Sequence, residues 1–309
     1  MIANRVAMGN RLAELGKADE KIVIVESDIA GSVNFGPFIE AFPERHFDCG
    51  IAEQNMVGVA AGLASCGYIP FVASFAVFAS MRALDQVRNA LCYNNFKVVV
   101  IGSHAGLETG PDGATHQAIE DVAIMRAVPN IKVLVPSTPN MTMALTTASA
   151  YCDGPVYLRL GRDKVPEFYD EKEAFPIGGS KTLREGTDVT LIANGTMVSV
   201  SLQAAEELEK KGISARVIDM YSIKPLDTAA ILKAAQETRG IVTVEDHNII
   251  GGLGGAVCET VAEAGLPCQV HRIGVQDKLG KSGKSSDLFE MYGLTSGHVV
   301  SAAEKLLAK

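Results

Sequence analysis

Between Lys21 and Leu160, short runs of β-branched residues alternate with segments of helical length. The apolar runs at 22–25, 69–73, 98–101, 133–135 and 156–160 predict strands. They are continuous and do not alternate with polar residues, which suits a parallel sheet covered on both faces. The stretches between them predict helices over 52–65, 77–91, 116–126 and 140–151, each followed by Gly, Pro or a polar turn. Such a βαβ series predicts a doubly wound α/β domain with a mostly parallel sheet. Ligands of such sheets sit beyond the carboxyl ends of the strands, in the loops that hold Asp28, Phe75 and His104.

From Arg162 to Gly186 the periodicity fades into charged residues punctuated by Pro166, Pro176, Gly178 and Gly179. An interdomain linker over 166–186 is expected here, between a first domain of 1–165 and a second of 187–309. The second unit predicts strands over 189–193, 215–218, 241–244 and 269–273, with helices over 198–211, 228–237 and 256–263. It is a second, smaller α/β domain. Its run Gly251-Gly252-Leu253-Gly254-Gly255 resembles a phosphate loop, but the spacing misses G-x-G-x-x-G and no acid follows at the expected distance. A tight turn is the better reading.

Length agrees with two domains, since 309 residues can build two hydrophobic cores. The richest apolar stretch, Met56 to Ala64, is broken by glycines and falls short of the ~18 residues of a membrane span. The N-terminus has Arg5 and Arg11 among polar residues and no apolar signal core, so a soluble cytoplasmic protein is expected. The six cysteines, at 49, 66, 92, 152, 258 and 268, show no CxxC spacing and read as buried reduced thiols. A net charge of −8 offers no general footprint for a polyanion, so nucleic acid is not an expected partner.

Three stretches carry candidate chemistry. In 48–58, Glu53 opens an apolar helical run, where a carboxylate can serve the helix dipole or do chemistry. Phe75 and Phe78 stand three residues apart where a strand passes into a helix. They suit a core pair, or the stacking of a planar heteroaromatic ring. The third is the Gly/Pro-rich loop 103–117 with His104, Asp112 and His116. Separations of 8 and 4 residues match no usual zinc pattern, and recognition of sugar hydroxyls is the better reading. If the fold converges Arg5, Ser32 and Arg162 on His104, the four make a binding site for a terminal phosphate or related oxyanion.

Taken together, Gly50-Ile51-Ala52-Glu53-Gln54, Ser74-Phe75-Ala76-Val77-Phe78 and Asp112-Gly113-Ala114-Thr115-His116-Gln117, with His104 upstream, resemble the C-terminal half of a transketolase. The resemblance covers essentially the whole chain and implies its pyrimidine-binding and C-terminal domains. It implies thiamine diphosphate as cofactor and transfer of a two-carbon ketol unit between sugar phosphates. By it, Glu53 hydrogen-bonds the aminopyrimidine, and Phe75, Phe78 and Met81 surround that ring, Met81 standing where some transketolases carry tyrosine. Asp28 falls near the cofactor and substrate channel. Asp112 and His116 bind hydroxyls of the ketose donor, His116 joining Glu53 as a catalytic candidate, while Arg5, Ser32, His104 and Arg162 hold the distal phosphate.

The family's diphosphate-binding domain, with its GDG and downstream Asn, has no counterpart in this sequence. The resemblance therefore implies one subunit of a split enzyme, dimerising within an α2β2 assembly. A separate N-terminal subunit would bind most of the diphosphate and its Mg²⁺ or Ca²⁺, and no metal site is expected in this chain. Two rival enzymes share parts of the pattern: a 1-deoxyxylulose-5-phosphate synthase and the β subunit of a 2-oxo acid dehydrogenase. His104 and Phe78 favour transketolase. A non-catalytic thiamine-binding partner subunit is the alternative from a different class.

Overall fold

The protein is described from a computed structural model over residues 1–308. The first part of the chain runs through β1 (Ile2–Ala3), α1 (Asn4–Ala18), β2 (Ile22–Glu26), α2 (Gly36–Ala41), β3 (His46–Asp48), α3 (Glu53–Ser65) and β4 (Ile69–Phe75). A broken helix follows, with π-helical segments Phe78–Arg82 and Val87–Cys92 around the short α4 (Leu84–Gln86). Next come β5 (Val99–Ser103), α5 (Asp121–Ala127), β6 (Lys132–Leu134), α6 (Pro139–Tyr151), β7 (Val156–Arg159) and β8 (Lys164–Val165).

The second part comprises β9 (Lys181–Arg184), β10 (Val189–Ala193), α7 (Met197–Glu209), β11 (Ala215–Asp219), β12 (Ser222–Lys224) and α8 (Thr228–Glu237). It closes with β13 (Gly240–Asn248), α9 (Leu253–Glu263), β14 (Gln269–Val275), α10 (Ser285–Tyr292) and α11 (Ser296–Leu307).

Strands β12-β6-β7-β5-β4-β2-β3 form one sheet, parallel throughout except for β12, and β14-β13-β10-β11-β9 form the second, parallel except for β9. All five residues of β2, β5, β10 and β11 are buried, as continuous apolar strands between two helical layers should be. Helix α3 turns Met56, Val57 and Ala60 to the core and leaves Gln54, Asn55 and Gly58 exposed.

Several expectations are corrected. The helix expected over 116–126 begins only at Asp121, because Gly106 donates to the Ala118 carbonyl at 2.9 Å and Ala105 bridges Ala118, holding that segment extended. The helix over 77–91 splits into π and α segments, since an apolar pattern does not distinguish i→i+4 from i→i+5 bonding. The expected linker is structured: β9 joins the second sheet, and Tyr169, Phe175 and Tyr221 stack edge-on in sequence at 5.0 and 5.7 Å. Strand β12, within the expected second domain, pairs antiparallel with β6 and completes the first sheet. The cysteines are all free, but only Cys92 is buried and Cys66 is exposed.

Polar groups also cross the seam between the two sheets. Asp219, at the end of β11, accepts from Ser137 Oγ and from Tyr169 OH at 2.9 Å, while its Oδ1 has no partner. Burial pushes its carboxyl up to about 7. Because the folded value lies above the unfolded one, the stability from the neutral carboxyl is complete below about pH 4. It is lost as pH rises through about 7. Denaturant unfolding at pH 5 and pH 8 should show lower stability at the higher pH, with a smaller difference in Asp219→Asn. An equal difference in both proteins would remove Asp219 as the source.

Candidate functional site

The carboxyl ends of β2, β4 and β5 and the start of α3 converge, and each delivers one part of the site. Glu53, the first residue of α3, is only 2% exposed. Its Oε2 accepts from Arg82 Nη1 at 2.9 Å and its Oε1 from Ser74 Oγ at 3.4 Å. Ser74 in turn accepts from Ser27 Oγ at 3.0 Å, so β2 and β4 brace the glutamate from below. The Arg82 guanidinium also lies 4.2 Å from the Phe78 ring centre, a cation–π contact that ties the charge pair to the aromatic pair.

Phe75 and Phe78 are parallel, with ring centres 6.3 Å apart and planes at 11°. His104 stacks on Phe75 with ring centres 4.3 Å apart, and His116 meets Phe75 and Phe78 edge-on at 6.1 and 5.3 Å. One aromatic cluster thus contains both phenylalanines and both histidines of the loop. Met81 is half-buried in the adjoining π segment.

His104 adopts a left-handed backbone conformation at φ 54° and is buried, its Nδ1 2.8 Å from Ser103 Oγ. Burial lowers its pKa to about 4, helped by the positive charges of Arg5 and Arg162 and opposed by Asp112. The imidazole is therefore neutral at pH 7, with one ring nitrogen donating and the other accepting. His116 Nδ1 lies 2.9 Å from Thr115 Oγ1.

Arg5 and Arg162, remote in sequence, line one open cleft of about 460 Å³ with Asp163 and Lys164. Arg5 donates to the Ser32 carbonyl at 2.8 Å, and its buried Nε has no partner. Burial and the nearby Arg162 lower the Arg5 pKa. Arg162 donates to the Thr109 carbonyl at 2.7 Å and lies 3.8 Å from Asp112. Ser32 meets Arg5 through its carbonyl and not, as its selection for a hydroxyl implied, through Oγ. The two guanidiniums and Lys164 make the cleft positive, Asp163 in its lining and Asp112 beside Arg162 offset part of that charge, and His104 lies near enough for both guanidiniums to lower its pKa.

Asp28 is exposed, directly after Ser27, with φ 60°. Its N–H donates to Asp48 Oδ1 at 3.2 Å, and buried Glu26 accepts from the Ile29 N–H, so two carboxylates hold this turn. Sequence reasoning missed Arg82, Ser74, Ser27 and Glu26. A lone arginine in the apolar stretch 76–84 was a usable signal for the first; the serines carry none. The glycine run behaves as a turn for a specific reason: Glu245 accepts from the N–H groups of Leu253 and Gly254 at 2.7 and 2.8 Å, occupying the start of α9 where an anion would sit.

Residues 1–167 match the family described as transketolase, pyrimidine binding domain, and residues 178–299 match transketolase, C-terminal domain. The chain belongs to the transketolase family. This transketolase-family chain is 40% identical over 310 residues to one subunit of the apulose-4-phosphate transketolase of Phocaeicola vulgatus, covering 100% of this chain and 99% of the relative. It is also 40% identical over 295 residues to a 6-deoxy-6-sulfo-D-fructose transketolase subunit of Clostridium sp. (strain MSTE9), covering 96% and 91%. A solved split-gene transketolase, described as an inactive beta4 tetramer, is 45% identical with a TM-score of 0.91 over 99% of this chain and 98% of that one. No helix among the described residues is long and apolar enough to cross a membrane.

Proposed function

We propose that this chain is the C-terminal subunit of a split, thiamine-diphosphate-dependent transketolase that moves a two-carbon ketol unit from a ketose phosphate to an aldose phosphate. The observation that carries this reading is the shared aromatic cluster. Glu53 pairs with Arg82, Arg82 lies over Phe78, and the two phenyl rings meet His116 and His104, while the charges of Arg5 and Arg162 reach His104; this chain of contacts supports reading them as one site.

The family is thiamine-diphosphate dependent, and the residues present fit the pyrimidine half of that cofactor: a buried carboxyl for a ring nitrogen and two parallel phenyl rings for an aromatic face. Phe75, Phe78 and Met81 would hold this half, with Asp28 near its exit. When bound, the cofactor supplies a nucleophilic carbon and an electron sink for the two-carbon fragment. Glu53 would meet the ring nitrogen with its carboxyl and serve proton exchange there, and Arg82, partly exposed, donates to Glu53 Oε2. His116 and Asp112 bind donor hydroxyls, and His116 moves protons at them. Arg5, Arg162 and neutral His104 receive the terminal phosphate or sulfonate, with Ser32 fixing the Arg5 guanidinium.

Among the described residues, no three of His, Cys, Asp and Glu gather as a metal site. Diphosphate and Mg²⁺ or Ca²⁺ are assigned to an N-terminal partner subunit, in a cytoplasmic α2β2 assembly where this chain dimerises. The expected result is ketol transfer from the purified chain mixed with that subunit, thiamine diphosphate and Mg²⁺, and none from either alone. A stable complex that transfers nothing between sugar phosphates would overturn the proposal.

A further inference from the structure

The loop that carries His104, Asp112 and His116 does not rest on its own domain alone. Its backbone is held at the first sheet by Ala105 N–H donating to the Leu160 carbonyl at 3.1 Å. Beyond that point Arg162 of the first domain still donates to the Thr109 carbonyl, and the second domain adds contacts of its own. Asp246, on β13, turns both carboxylate oxygens to the Leu107 N–H, each at 3.0 Å. Ser282 Oγ donates to the Pro111 carbonyl at 2.6 Å, and the Lys281 carbonyl accepts from Gln117 Nε2 at 2.9 Å. The fit at Asp246 is close: a Cβ added to Gly106, which has φ 68°, would lie 2.0 Å from Asp246 Oδ2.

Asp246 is an expensive choice for a stabilising residue. It is buried, its carboxyl receives one N–H, and burial together with the like charge of Glu108 pushes it up to about 7 against the positive charge of Arg159. The Arg159 guanidinium donates instead to the Asp246 backbone carbonyl, at 2.8 Å, and to Asp121, at 2.8 Å. A buried carboxylate so thinly satisfied costs stability unless it fixes something that needs fixing. What it fixes is the backbone between the two histidines.

We infer that Asp246 is a positioning residue for sugar binding, through which the C-terminal domain sets the geometry of the loop bearing His104, Asp112 and His116. The inference rests on the ketol-transfer reading for its kinetic consequence. Glu53, Phe75 and Phe78 lie on other elements and meet the loop where His104 and His116 touch the two phenyl rings, so Asp246 acts on the sugar more than on the cofactor. Removing the carboxylate frees the Leu107 N–H and lets the loop sample other conformations, only a fraction of which bind sugar.

The test compares Asp246→Ala and Asp246→Asn with the unaltered chain, each reconstituted with the N-terminal subunit. Asp246→Ala should raise the KM for the ketose phosphate about ten-fold. The affinity for thiamine diphosphate should stay within about two-fold, a smaller change than in KM, since Glu53, Phe75 and Phe78 stand on other elements and touch the loop through its histidine rings. Asp246→Asn keeps an oxygen to accept from Leu107 and should recover most of the loss. A merely structural role would lower kcat with the folded fraction and leave KM unchanged, and that result would overturn the inference. Hydrogen exchange on the chain alone supplies a readout independent of activity: the Leu107 amide should exchange faster in folded Asp246→Ala, with β13 amides unaffected. Unchanged exchange at Leu107 would overturn the anchor itself. A wild-type complex without ketol transfer would instead sink the functional reading, and the exchange experiment would still decide the anchor.

Discussion

Glu53→Gln in the reconstituted enzyme lowers the rate of ketol transfer by roughly 10²–10⁴-fold, the range that a positioned proton-transfer group contributes. The substitution keeps the volume and the acceptor oxygen that faces Ser74, so α3 and the aromatic pair should stay in place. What it loses is a carboxyl able to take and return a proton, and the charge that Arg82 neutralises at 2.9 Å. Cofactor affinity should change far less than rate, because ring stacking on Phe75 and Phe78 survives. Titrating thiamine diphosphate against both proteins and measuring kcat at saturation separates the two effects. A Glu53→Gln enzyme with the wild-type rate would strip this residue of its role. Arg82 makes the result more informative than it would be for an isolated carboxylate, since in Glu53→Gln its guanidinium retains Phe78 but has no anion.

The second large effect is expected at Arg162. His104 titrates near 4 and is uncharged at neutral pH, so the charge on a substrate's terminal group must be met by Arg5 and Arg162. Arg162→Ala removes one charge-assisted donor, a loss of about 1.5–3 kcal/mol. That corresponds to roughly 10–150-fold in affinity. Arg162 also donates to the Thr109 carbonyl, so its removal loosens the loop for every substrate. Comparing phosphorylated ketoses with their unphosphorylated analogues cancels this common part. The phosphorylated series should lose the larger factor, and the excess should shrink as salt rises. Equal losses in the two series would contradict the anion site.

Much of the fold was legible because the apolar strands β2, β4, β5, β7, β10 and β11 are continuous runs between helical periods, a pattern written in a few adjacent residues. The short edge strands β3, β9 and β12 carry no such run and were not legible. The segment 116–120 carries a helical pattern that the structure does not follow, for a related reason. Its composition permits a helix, but the bond from Gly106 to Ala118, made across a loop, decides against it. At the site, Glu53, Phe75, Phe78, His104, Asp112 and His116 stood out because they fall within compact, recognisable stretches. Asp246 did not, since an aspartate inside a strand pattern gives no hint that its partner is the Leu107 amide.

The sequence by itself determined two doubly wound α/β units and set a carboxyl, an aromatic pair and a histidine-bearing loop in three short stretches, because helix and strand periodicity are local properties. It also determined the family, through three short stretches of residues. Only the tertiary structure decided that Glu53 pairs with Arg82, that Arg5 and Arg162 share a cleft, and that Glu245 fills the glycine turn. It likewise decided that the second domain holds the histidine loop of the first. These are distances between remote segments, and they follow from the order of strands in the sheets and the packing across them, which no stretch of neighbouring residues encodes.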